Sequence, residues 1–171
     1  MTETINPVLI ATPIEVEPIK PDTCTRQYKF DIFTRQHLFP CTRYDLLLKR
    51  NENSSGNDYL AALKKPRFKF KSRYCEFMFY VDVKYLLHKA DPMIEWCEPS
   101  ELKRYQELDE QIPVYIMIGE GSYPAEPQGV FIFPIKNVRY NRILRSRLEK
   151  YRIPAVLSVE EEDLVSMRLD Y

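Results

Sequence analysis

Histidine is almost missing from this sequence, with two in 171 residues, and the four cysteines stand far apart. Cys24, Cys41, Cys75 and Cys97 are separated by 17, 34 and 22 residues and form no C-x-x-C pair. A structural zinc site draws its nitrogen and sulfur ligands from closely spaced pairs, so that class is excluded. Net charge is missing too: 25 basic residues balance 25 acidic ones. The field of the whole molecule therefore steers no nucleic acid, membrane or acidic substrate, and only the local distribution of charge can. No apolar run approaches the roughly 18 residues of a membrane span. The N-terminal stretch, with Glu3, Glu15 and Glu17 among prolines, lacks the basic start and apolar block of a secretory signal. These absences predict a cytoplasmic protein with reduced thiols and no membrane contact.

What is present supports a folded chain. Hydrophobic residues make up 44% and aromatics 13%, enough apolar area to offset chain entropy, while 29% charged residues keep the exterior wet. The length suits one domain. Residues 1–23 read as a proline-rich extended arm, because Pro7, Pro13, Pro18 and Pro21 remove backbone donors and restrict their neighbours. Such an arm is either a loose tail or a strand-like segment that packs on its own domain or on a protein partner. Residues 24–154 form the expected α/β domain, and 155–171 an acidic tail with one helical turn. Lys64, Lys65, Arg67, Lys69, Lys71 and Arg73 crowd together, and a second basic group runs from Arg139 to Arg152. They form either a basic face or ordinary solvated charges.

Hydrophobic spacing supplies the elements. Thr25 to Leu38 predicts a helix that ends at Pro40, and Tyr44 to Leu48 a strand, followed by a loop over Asn51–Asn57. Phe68 and Phe70 alternate with lysines, and Phe77 to Tyr85 alternates aromatic and β-branched residues, predicting two strands joined by a turn near Arg73. In that register Asp82 and Lys84 share one face, opposite Val81 and Val83. Glu98 to Leu108 carries Leu102, Tyr105 and Leu108 at helical spacing behind Pro99, which suits a helix start. Val114–Gly119 reads as a strand covered on both faces, so strand, helix, strand predicts a crossover to a parallel partner. A strand over Val130–Ile135 and a basic amphipathic helix over Arg142–Tyr151 complete the pattern.

This order, with acid-x-Lys late in the third strand, resembles the PD-(D/E)XK nuclease superfamily, whose members include restriction endonucleases and Holliday-junction resolvases. The likeness spans 24–154 and is carried by four pieces of sequence. They are Phe30-Asp31, then Pro66-Arg67-Phe68-Lys69-Phe70, then Phe79-Tyr80-Val81-Asp82-Val83-Lys84-Tyr85, and last Glu95-Trp96-Cys97-Glu98-Pro99 with Leu102-Lys103-Arg104-Tyr105. The resemblance implies a restriction-endonuclease-like αβββαβ core, a mixed central sheet flanked by helices. It also implies Mg²⁺-dependent hydrolysis of nucleic-acid phosphodiesters. Asp82 would be a metal ligand and Lys84 the residue that positions or activates water, since hard cations take carboxylate oxygens and offset charge growing on phosphate. Asp31 would match a helix carboxylate that some members add. Arg67, Lys69, Lys71 and Tyr105 are the expected nucleic-acid contacts.

The sequence departs from the family pattern where Pro-Asp is replaced by Pro66-Arg67, putting a cation in the place of a metal carboxylate. Glu101 stands where a glutamine often precedes the helical tyrosine by four positions. Asp58 and Glu101 are the candidate replacement ligands. Two readings follow. One is an active metal-dependent nuclease. The other is a nuclease-fold module without chemistry that binds nucleic acid or a protein. Against both stands an ordinary buried Asp–Lys pair with core aromatics. Cys97 reads as a small buried hydrophobe.

Overall fold

Among the described residues the central element is a six-stranded mixed sheet in the order β1 (Tyr44–Lys49), β2 (Asn57–Leu63), β3 (Met78–Leu87), β5 (Val114–Gly121), β6 (Gly129–Pro134) and β8 (Arg152–Ile153). In the computed structural model, residues 23–49, 57–64, 78–87, 91–155 and 158–169 are described. The expected arm, and the strand carrying Arg67, Lys69 and Lys71, lie outside them. Helix α1 (Thr23–Phe33) runs into a π-helical turn at Thr34–Leu38, and β1 (Tyr44–Lys49), β2 (Asn57–Leu63) and β3 (Met78–Leu87) follow as an antiparallel meander. The short β4 (Met93–Glu95) precedes helix α2 (Pro99–Asp109), and β5 (Val114–Gly121) returns parallel to β3. Next come β6 (Gly129–Pro134), β7 (Arg142–Leu144), α3 (Arg145–Leu148), β8 (Arg152–Ile153) and α4 (Glu161–Leu169). Strands β4 and β7 form a separate ribbon. No helix among the described residues is long and apolar enough to cross a membrane.

Side-chain alternation sends β3, β5 and β6 into two cores, one on each face of the sheet. Phe79, Val81, Val83 and Tyr85 of β3, Tyr115 and Met117 of β5 and Val130 and Ile132 of β6 pack beneath α1 and α4, with Phe30, Phe33 and Leu164. On the other face Tyr80, Ile116, Ile118, Phe131 and Phe133 pack with Trp96, Leu102 and Tyr105 beneath α2. All eight residues of β5 are buried, as expected for a strand covered on both sides. Gly119 permits the closest approach, since a Cβ there would overlap the Phe30 ring. Gly119→Ala should therefore cost about 1–3 kcal/mol of stability through overpacking, read as a lowered urea midpoint.

The order α1, β1–β3, α2, β5 and the parallel β3–β5 pair agree with the mixed α/β expectation. Three elements differ. The second strand of the meander begins at Asn57 inside the expected loop. Asp58-Tyr59-Leu60-Ala61-Ala62-Leu63 has little β-propensity by itself, and forms a strand because β1 and β3 flank it. Arg142–Tyr151 is not one basic helix: its first residues pair with β4, and a single helical turn and a 3₁₀ turn follow. The acidic segment forms the nine-residue α4 rather than one turn. Leu164 is buried, Tyr44 donates its hydroxyl hydrogen to the Val159 carbonyl, Tyr115 does the same to Leu164, and Arg168 grips Asp109 through both carboxylate oxygens.

Candidate functional site

Adjacent strands bring two acids together beneath α2. Asp58, near the start of β2, is the register partner of Asp82 on β3, and direct cross-strand partners stand about 5 Å apart at Cβ. Lys84 lies two residues on and thus on the same face. From above, α2 supplies Glu101, Arg104 and Tyr105, whose three- and four-residue spacing places them on one side of the helix. Pro99 occupies the first turn of α2, where its missing N–H is harmless, and the Glu98 backbone N–H donates to Glu101 Oε2 at 3.1 Å.

The charges interlock. Lys84 Nζ is 3.1 Å from Asp82 Oδ2 and donates to Glu101 Oε1 at 3.2 Å. Arg104 directs both terminal nitrogens at Asp58 Oδ2, each at 3.3 Å, reaches the Tyr80 hydroxyl at 3.4 Å, and stacks its guanidinium 4.4 Å from the centre of the Tyr105 ring. Asp58, Asp82, Lys84 and Glu101 are all buried, whereas the Arg104 side chain is 33% exposed. Arg104 thus connects the cluster to solvent. Among the described residues Asp58 Oδ1 and Asp82 Oδ1 have no hydrogen-bond partner, while Asp82 Oδ2 is held by the Lys84 ion pair.

Electrostatics follow from this burial. Desolvation pushes Asp82 up to about 7; Lys84 opposes the rise, and the neighbouring Asp58 adds to it. Desolvation pulls the Lys84 ammonium down, but Asp82 and Glu101 outweigh it and leave the pKa raised, so the group stays charged at neutral pH. The Tyr105 phenol is held far above its usual range by burial first and then by the neighbouring charges of Asp82 and Asp58. Burial also pushes the Cys97 thiol up to about 12, so it is a packed hydrophobe and not a thiolate.

Of the residues singled out from sequence, Asp58, Asp82, Lys84, Glu101 and Tyr105 converge. Asp31 does not. It accepts a hydrogen bond from Tyr59 on the far face of the sheet, because Tyr59 and Asp58 are neighbours on one strand and point opposite ways. Tyr105 is fully buried with its ring stacked on Trp96, so it lines the cluster instead of offering a face to nucleic acid. Among the described residues no three His, Cys, Asp or Glu side chains form a complete metal-ligand group. The four-acid set is therefore not assembled; the Asp58–Asp82 pair is. Arg104 was not anticipated, although its place between Glu101 and Tyr105 on the helix is a signal that could have found it.

The geometry also explains how β3 is held. Among the described residues the β2–β3 register runs to Asn57 opposite Val83. There the Gln27 side chain takes over, donating to the Val83 carbonyl at 2.6 Å and accepting from the Tyr85 N–H at 2.8 Å. A cleft of about 560 Å³, lined by Arg26, Tyr85, Leu86, Glu120 and Arg145 among others, lies at the far ends of β3 and β5 and does not include Asp82 or Lys84. Comparison with protein-family models, with curated proteins and with solved structures found no match for this chain.

Proposed function

We propose that the chain is a metal-dependent phosphodiesterase of the PD-(D/E)XK type acting on nucleic acid, with Asp58 in the role that Pro66-Arg67 leaves unfilled. The register pairing of Asp58 with Asp82, and Lys84 on the same face, carries this reading. The two acids fit a Mg²⁺ site by their chemistry. They are hard oxygen donors with unpartnered atoms, and Mg²⁺ is commonly held by one or two carboxylates, the remaining positions going to water and phosphate. Bound there, the ion would offset charge on phosphate and lower the pKa of water.

The chain's own groups have separate tasks. Lys84, charged at neutral pH, serves as a hydrogen-bond donor and fixed cation toward water or phosphate rather than as a base that takes a proton. Glu101 holds the ammonium in place from α2. Trp96 and Tyr105 close the apolar side and keep bulk water from the ion pairs.

A second reading has its own observation. Arg104 and Lys84 already pair with Asp58 and Asp82, so the cluster needs no added ion if the protein is a binding module without chemistry. One experiment separates the two. The purified chain is incubated with single- and double-stranded DNA and with RNA in Mg²⁺ or Mn²⁺, beside Asp82→Asn. Cleavage that depends on the metal and falls at least about 100-fold in the variant supports the enzyme. Absence of cleavage with salt-sensitive binding replaces it with the module, and absence of both removes nucleic acid from the account.

A further inference from the structure

A helix residue with no part in holding Lys84 places a forked cation on one of the two acids. Three carboxylates, Asp58, Asp82 and Glu101, face two cations, Lys84 and Arg104, in this cluster. The cations are not equivalent. Lys84 is sealed in and is shared between Asp82 and Glu101. Among the described residues Arg104 is tied to the cluster by Asp58 and Tyr80 and by stacking on Tyr105, and a third of its side chain already meets water.

We propose that Arg104 is an internal stand-in for the divalent cation, bound to Asp58 when no ion is present and swung outward to solvent when one arrives. The proposal rests on the phosphodiesterase reading. An ion shared by Asp58 and Asp82 would lie close to the oxygen that the guanidinium grips, and two cations at that range repel each other strongly. Exposure makes the exchange possible, because the displaced guanidinium is rehydrated and needs no new protein partner. The arrangement also accounts for the burial of Asp58, whose charge is balanced by a tethered cation. Arg104 is in this sense a positioning residue that sets how tightly and how selectively the acid pair takes divalent ions.

Mn²⁺ binding to the full-length protein, measured by titration calorimetry without any substrate, tests this. Arg104→Gln is expected to bind Mn²⁺ about ten times more tightly than the wild type. Arg104→Lys separates a latch from simple charge repulsion, since it keeps the charge but loses the two-pronged grip. A gain of several-fold in Arg104→Lys supports the proposal, and wild-type affinity in Arg104→Lys overturns it. Lys103→Gln, one residue away on the exposed side of α2, should leave binding unchanged; a gain equal to that of Arg104→Gln would also overturn it. If neither the wild type nor the Arg104 variants bind Mn²⁺, the phosphodiesterase reading fails and takes the latch with it. If all bind equally, that reading stands and the latch alone is lost. Should Arg104→Gln not fold, Arg104→Lys decides the matter.

Discussion

Lys84→Ala should lower the free energy of unfolding by about 3–5 kcal/mol at pH 8, the range seen when one member of a buried ion pair is removed. The ammonium is the only cation within 3.2 Å of Asp82 and Glu101 among the ion pairs described, and both acids are buried. Removing it leaves two desolvated carboxylates facing each other. The loss should shrink at pH 5, where Asp82 takes up a proton in the folded state and one of the stranded charges disappears. Adding Glu101→Gln to Lys84→Ala should recover part of the stability, because a neutral amide replaces the other charge, so the two effects will not add. Urea unfolding of the single and double variants at both pH values measures all of this. A loss below about 1 kcal/mol at pH 8 would mean the ammonium is not acting as a buried counter-ion.

The second large effect concerns pH. Asp82 titrates near 7 in the folded chain against 3.8 for an ordinary aspartate, so between these values the folded state holds a proton that the unfolded state has released. Stability then declines as pH rises from about 4 to 7 and levels off above, because the unfolded state binds fewer protons through that window. Asp82→Asn removes the slope this group contributes. The variant should match the wild type near pH 4 and exceed it at pH 8 by an amount on the order of a few kcal/mol, while losing any metal-dependent cleavage. Calorimetric melting from pH 4 to 8 gives the difference curve directly, and parallel curves would contradict a buried carboxyl whose proton is held more tightly in the folded state. A divalent ion held by Asp58 and Asp82 should recover stability at pH 8 far more than at pH 5, since it competes with that same proton.

Much of this architecture could be read from short-range pattern. The alternation through Phe79–Tyr85 placed Asp82 and Lys84 on one face, and they are on one face. Pro99 with the Leu102–Tyr105 spacing marked α2, and the unbroken apolar β5 implied the parallel pairing with β3 that the sheet has. What could not be read depended on neighbours in space. Two alanines and an aspartate conceal β2, so the sequence offers Asp58 as a candidate ligand from the end of a loop and does not show that it is the strand residue directly opposite Asp82. Asp31 and Asp58 look alike as isolated acids, and only the alternation along β2 assigns them to opposite faces of the sheet. The basic run after Arg142 has helical charge spacing, but its fate is decided by β4, which offers Met93–Glu95 as a strand partner.

Glu101 divides its two oxygens between separate duties: one accepts from the Glu98 amide and closes the start of α2, and the other holds Lys84. Unwinding the first turn of that helix therefore also withdraws Glu101 from the lysine and leaves Asp82 holding it. Exchange of the Glu98 amide hydrogen with solvent, a purely local observable, becomes a clock for how often Glu101 lets go of the ammonium.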